Sequence, residues 1–163
     1  MISLLVFDVD GTLSNGRVYY SQSGEEIKAF HIHDGLAISV WSKILKRPSA
    51  IITGRVSEVV EKRARELGIA HIFMGVENKG AVLKELLGTL SLKPAQVACI
   101  GDDLNDLSML RLTPHAYMPK NGAKPLKKYA KILKRKGGDG AVREMIEDVL
   151  RINGDQKLEK YFL

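Results

Sequence analysis

A chain of 163 residues with 45% hydrophobic and 27% charged side chains has the composition of a domain that buries its own core without disulfides or structural metal. Its apolar start, Ile2 to Phe7, is broken by Asp8 and Asp10, far short of the ~20 residues of a membrane span, and carries no basic leader; with one cysteine, Cys99, inside the apolar run Val97 to Ile100, this points to a cytoplasmic protein with no membrane partner. The net charge of +6 is concentrated in Lys124, Lys127, Lys128, Lys131, Lys134, Arg135 and Lys136, but without aromatic interleaving beyond Tyr129 or any nucleic-acid module that run reads as a solvated helix face or an anion-attracting rim, not as a site for DNA or RNA.

In chain order, Ile2–Phe7 reads as a first strand. Residues from about 16 to 31 have β-rich flanks around a Ser23-Gly24 turn and read as a projecting hairpin, which carries Val18, Tyr19, Tyr20, Ile27 and Phe30 and must pack on something, another copy of the chain being the candidate. A helix is predicted over Gly35–Leu45, a strand over Ala50–Thr53, a helix over Val56–Leu67 closed by Gly68, and a strand over His71–Met74. Lys79–Leu90 reads as a helix, Val97–Gly101 as a strand, Asn105–Leu110 as a helix, Ala116–Met118 as a strand, and Ala141–Ile152 as a helix closed by Asn153 and Gly154. A polar tail over about 153–163 ends in Tyr161-Phe162-Leu163. Strands alternating with helices predict an α/β fold: one doubly wound, Rossmann-like parallel sheet in a single domain over 1–163.

Open parallel sheets collect ligands at the carboxyl ends of their strands. Asp8 and Asp10 follow the first predicted strand, Thr53-Gly54-Arg55 the second, and Gly101-Asp102-Asp103 with Asp106 the fourth, while Lys79 opens the helix after the third. Carboxylates gathered at one edge repel one another unless a cation joins them, and all-oxygen ligation favours a hard ion such as Mg²⁺. Asp8 and Asp10, two apart, can put one carboxylate on the metal and the other toward substrate. Thr53 offers a hydroxyl, Gly54 admits close backbone approach, and Lys79 and Arg55 bring positive charge to a dianion. The set is a phosphoryl cradle with a nucleophile in it.

Asp8-Val9-Asp10-Gly11-Thr12, Thr53, Lys79 and Gly101-Asp102-Asp103-Leu104-Asn105-Asp106 resemble, in order and spacing, the four signature motifs of the haloacid dehalogenase superfamily. The hairpin with Gly24-Glu25-Glu26-Ile27-Lys28-Ala29-Phe30, together with Asp34-Gly35, Ile51 to Arg55, Leu67-Gly68-Ile69, Asn78-Lys79 and Gly137 to Glu144, is similar to its capless 3-deoxy-D-manno-octulosonate 8-phosphate phosphatases, over most of the chain. The resemblance implies a haloacid dehalogenase fold with no cap domain, in which Asp8 attacks phosphorus through an aspartyl-phosphate, Asp10 serves as acid and base, and Thr53 and Lys79 hold the phosphoryl group. It implies Mg²⁺ on Asp8, Asp102 and the main-chain carbonyl of Asp10, with Asp103 and Asp106 in support. It assigns substrate contacts to Asp10, His31, His33, Asp34, Gly35, Gly54, Arg55, Arg63 and Lys79, and implies a homotetramer through the hairpins, acting on a sugar-acid phosphate in lipopolysaccharide precursor synthesis. Where the family pattern has arginines this chain has His33 and Ser39, so a related nonulosonate 9-phosphate or another small phosphate remains an alternative substrate.

Blander readings stand beside these. Asp102, Asp103 and Asp106 could cap a helix, and Thr53-Gly54 could end a strand. His31 and His33, two apart, could suggest zinc, but lack a third ligand placed by sequence. His71, His115 and Trp41 read as core or core-edge residues and Cys99 as inert packing. Two other functions use the same residues: a phosphoacceptor signalling module, opposed by a nucleophile that follows the first strand, and a non-catalytic regulatory subunit, opposed by intact Asp8 and Asp10.

Overall fold

Leu4, Leu5, Val6 and Phe7 are all fully buried, as a strand covered on both faces must be. In the computed structural model, which describes residues 1–163, this segment is β1 (Leu4–Phe7). A hairpin of β2 (Tyr19–Tyr20) and β3 (Glu26–Ile27) follows, and then β4 (Ser49–Ile52), β5 (His71–Phe73), β6 (Val97–Ile100), β7 (His115–Met118) and β8 (Lys131–Ile132). Apart from the hairpin, the strands form one parallel sheet in the order β5-β4-β1-β6-β7-β8. β1 therefore lies between β4 and β6, with Phe7 level with Ile51 on one side and Ile100 on the other. That register brings the residues after three strands side by side at one edge.

The sheet is wound on both faces, as the alternation of elements predicts. Leu5, Phe7, Ile51, Ala98 and Ile100 face a core closed by α1 (Ile32–Ser39), α2 (Glu58–Leu67) and α5 (Ala141–Asn153). Leu4, Val6, Ala50, Ile52, Val97 and Cys99 point the other way, onto α3 (Lys79–Thr89) and α4 (Leu107–Leu110). Period two in each strand sorts the two sets. The helices begin where side chains satisfy free backbone N–H groups: Ser57 accepts from Val60 N and Asn78 from Ala81 N. Gly68 and Gly154 close α2 and α5 in the left-handed conformation.

Three elements differ from the sequence reading. The helix expected over Gly35–Leu45 starts earlier, at Ile32, and its second half, Val40–Ile44, winds as a wider π-helical turn in which Leu45 N donates to Val40 O at 2.9 Å. The basic stretch is no helix face. Lys124–Lys128 forms a short 3-10 turn, and Lys131–Ile132 is the outermost strand, β8, a two-residue edge of the kind too short to pair readily with another chain. The tail winds into a 3-10 turn, Leu158–Phe162, that buries Leu158 and packs Tyr161 on the core while Phe162 stays outside. No helix is long and apolar enough to cross a membrane. No domain interrupts the strand–helix connections, and the hairpin is the one projection from them.

Candidate active site

Asp8 continues β1, its N–H donating to Ile100 O at 3.0 Å, so its side chain emerges at the carboxyl end of the central strand. There it meets Lys79, the first residue of α3, whose Nζ donates to Asp8 Oδ1 at 2.5 Å and to Asp106 Oδ1 at 2.6 Å. Lys79 is 1% exposed and Asp106 is fully buried. A lysine opening a helix is usually solvated; this one is drawn inward because two buried carboxylates need it. Burial alone would lower its pKa, but Asp8 and Asp106 outweigh that and hold the ammonium charged.

Asp8, Asp102 and Asp106 each place a carboxylate oxygen within 4.8 Å of the others. Asp106 already has partners on both oxygens: Lys79 on Oδ1, and the N–H groups of Asp102 (2.8 Å) and Asp103 (3.2 Å) on Oδ2. It ties the loop after β6 to the lysine. Asp103 is exposed and accepts from Leu104 N at 2.7 Å, capping the 3-10 turn Leu104–Asp106, so for this residue the capping role is the one seen. Asp8 and Asp102 remain with oxygen to offer. Burial first, and repulsion from Asp106 next, raise Asp8 well above the usual carboxylate range despite Lys79; the same two causes push Asp102 up to about 6. Two neighbouring carboxylates that resist ionisation fit a site completed by a hard divalent cation, which reverses both effects. Gly11 closes one wall. At φ +94° it adopts a conformation that L side chains avoid, and a Cβ there would strike the Asp102 carboxylate.

Asp10 is separated from this cluster by its partners. Its Oδ1 accepts from Lys28 Nζ at 2.5 Å, and its Oδ2 lies 3.9 Å from Arg55 Nε. Lys28 reaches in from the hairpin and also meets Glu26 Oε1 at 3.1 Å. Glu26 in turn accepts from Ser57 Oγ at 2.5 Å and Arg55 Nη2 at 3.0 Å. The Ser57 hydroxyl, then Lys28 and Arg55, hold its carboxyl down to about 2. Neither Lys28 nor Glu26 was assigned a role from sequence. The available signal was their spacing, which puts both on one face of a strand.

Thr53 is 2% exposed at the end of β4, beside the residues that follow β1, and its Oγ1 accepts from Arg55 N at 3.4 Å. Gly54 and Arg55 are exposed at the same rim, with Arg55 also reaching Tyr20 Oη at 3.3 Å. The remaining expected substrate contacts lie elsewhere. Asp34 is 1% exposed and accepts from Arg143 N at 2.7 Å, capping α5 across the helix pair. Burial pushes its carboxyl up. Gly35 gives room to the Arg63 guanidinium, which stacks over Phe30 at 5.9 Å and pairs with Glu66 at 3.3 Å; no hydrogen bond or ion pair joins Arg63 to Asp8, Asp10 or Lys79. His31 caps α1, its Nδ1 accepting from His33 N. The two imidazoles meet edge to face, 4.9 Å apart, and line a polar hollow of about 660 Å³ with Lys134, Arg135 and Arg143. The turn that begins at Gly137 joins this hollow to the site, because Gly138 N donates to Thr12 O at 2.9 Å.

The geometry is one of a buried carboxylate, Asp8, beside the buried Lys79 ammonium and within 4.8 Å of the Asp102 and Asp106 carboxylates, with Asp10 on a separate mount. Residues 49–146 match the model of the haloacid dehalogenase-like hydrolases. The chain is 41% identical to the 3-deoxy-D-manno-octulosonate 8-phosphate phosphatase KdsC of Yersinia pestis, covering 91% of this chain and 80% of that protein. It is 39% identical to the KdsC of Escherichia coli strain K12, over 94% of this chain and 81% of that one. Among solved structures, the 3-deoxy-D-manno-octulosonate 8-phosphate phosphatase of Moraxella catarrhalis, in complex with magnesium ion, phosphate ion and KDO, superposes with a TM-score of 0.91 at 38% identity, covering 99% of this chain and 91% of that one.

Proposed function

Because the chain belongs to the haloacid dehalogenase-like hydrolases, in the family of 3-deoxy-D-manno-octulosonate 8-phosphate phosphatases, we propose that it hydrolyses the phosphate monoester of an eight-carbon sugar acid through an aspartyl-phosphate on Asp8. The observation that carries this reading is the contact of Asp8 Oδ1 with Lys79 Nζ at the end of the central strand, with the Asp102 carboxylate alongside. Asp8 attacks phosphorus, while Asp10 gives a proton to the departing alkoxide. Water then attacks the phosphoryl group, Asp10 takes its proton, and Asp8 is released with inorganic phosphate. Lys79 and the Thr53 hydroxyl and backbone receive the phosphoryl oxygens, and Arg55 at the rim meets the anionic substrate. Asp8, Asp102 and the main-chain carbonyl of Asp10 would hold Mg²⁺, which when bound supplies neutralising charge to the transferring group. The net charge of +6 favours approach of a substrate bearing both phosphate and carboxylate.

The same reading places the enzyme in the cytoplasm, in lipopolysaccharide precursor synthesis, as a homotetramer built through its hairpins. Its support is the run of exposed apolar side chains there, Val18, Tyr19, Tyr20 and Ile27. His33 and Ser39 favour a second reading, in which the substrate is a nine-carbon sugar acid phosphate, since both stand where the family pattern has a basic contact. The test is phosphate release from a panel of small monoesters, including octulosonate 8-phosphate and nonulosonate 9-phosphate, with Mg²⁺ and then with chelator. Preference for the eight-carbon acid, lost on chelation, is the expected result. Preference for the nine-carbon acid moves the substrate and keeps the mechanism; no release from any ester overturns the phosphatase reading and turns attention to a regulatory subunit.

A further inference from the structure

The Lys28 side chain is 1% exposed, although it sits on a two-stranded hairpin most of whose residues face solvent. A flexible lysine buries its ammonium only where partners replace its water. Here the partners are two carboxylates, Asp10 at 2.5 Å and Glu26 at 3.1 Å. Glu26 is itself fixed by Ser57, the cap of α2, and by Arg55, so the ammonium is anchored to the body of the protein independently of Asp10. The intervening Ile27 is 53% exposed, so period two turns Glu26 and Lys28 inward together. Lys28 occupies only Oδ1 of Asp10. Arg55 Nε stands 3.9 Å from Oδ2, beyond hydrogen-bond reach.

From this arrangement we propose that Lys28 is a positioning residue for Asp10, pinning Oδ1 so that Oδ2 alone faces the leaving group and carries the proton. The inference rests on the phosphatase reading above, in which Asp10 handles that proton. As the bond from phosphorus to the ester oxygen breaks and the bond to Asp8 forms, the proton on Oδ2 passes to the departing oxygen. When water attacks, its proton returns to the same oxygen. Without Lys28 the carboxyl can rotate, and either oxygen can point away from the substrate.

Proton donation matters for an alkoxide leaving group and little for 4-nitrophenolate, which departs as a stable anion. The experiment therefore compares kcat/KM, which reports events up to departure of the leaving group, for the sugar-acid phosphate and for 4-nitrophenyl phosphate in Lys28→Met and Lys28→Gln. We expect the alkyl ester to lose about a hundredfold, of the order that general acid catalysis supplies, and the aryl ester to lose less than a tenth as much. Each variant controls for its own folding, since both esters use Asp8, Lys79 and the same cation site. Equal losses on the two esters in both variants make Lys28 a structural tether and overturn the proposal, as does retention of both activities. An Asp10→Asn variant that keeps full activity on the alkyl ester overturns the proton assignment beneath it, whereas a wild-type chain that cleaves neither ester removes the phosphatase reading itself.

Discussion

Asp8 lies in an environment that opposes its charge. Burial and the neighbouring Asp106 push it toward the neutral form, and Lys79 only partly offsets them. In the proposed mechanism Asp8 attacks as the anion, so the cost of desolvating it would be met when substrate and cation enter. Asp8→Asn keeps the shape and removes a charge that the apo fold tolerates poorly. The variant is expected to retain its circular dichroism and a thermal midpoint no lower than wild type, while turnover drops by more than about a thousandfold, as loss of a nucleophile does elsewhere. A near-normal rate in Asp8→Asn, measured as phosphate release, would rule out the covalent route and leave direct attack by water.

The elements explain why some of this was readable and some was not. An apolar strand running into paired carboxylates marks its own functional end, so Asp8 and Asp102 could be read from chain order and residue type, whereas the order of the strands in the sheet came only with the structure. Lys79 needed its partners to distinguish it from a solvated lysine. Lys28 was harder, since its burial depends on Glu26 meeting Ser57 thirty-one positions away. Asp34 looked like a substrate ligand because it sits beside Gly35 in a motif, yet its role in the fold is to cap α5, a helix more than a hundred residues on. β8 is two residues long and has no periodicity to detect. The hairpin was legible as a hairpin but not in its division of labour. One face carries Glu26 and Lys28 into the site, while the other leaves Tyr19 at 39% and Ile27 at 53% exposure, more apolar surface than an isolated two-stranded ribbon sustains in water. If that face joins subunits, Ile27→Glu combined with Tyr19→Ser should lower the mass found by sedimentation from a tetramer to a smaller species, without loss of secondary structure. A wild-type chain that already sediments as a monomer at micromolar concentration ends the assembly reading.

For the molecule as a whole, the site and the core are one structure. Asp8 and Asp102 follow the two strands at the middle of the sheet, and both central strands are buried on each face. A cation that joins these carboxylates therefore binds the folded chain and not the unfolded one, and must raise the stability of the entire domain. At a hundredfold excess over Kd the gain is about 2.7 kcal/mol, or about 5–10 °C in Tm for a chain of this size. The pH dependence follows from Asp102, raised from an ordinary value of 3.8 to about 6. A raised carboxyl holds its proton more tightly folded than unfolded. On this account the metal-free protein loses stability as pH rises from about 4 to about 6, and is not stabilised by ionisation there. Metal binding has the opposite slope, because protons compete for the same oxygens: affinity tightens as pH rises through the range in which Asp102 and the raised Asp8 ionise, and within that range each unit of acid weakens it by about tenfold for each proton displaced. Scanning calorimetry with fixed Mg²⁺, against chelator, should thus give a small shift in Tm at pH 5 and a larger one at pH 7.5. A shift equal at both values would mean that Asp102 is ionised throughout, and that Lys79 compensates its charge without help from a cation.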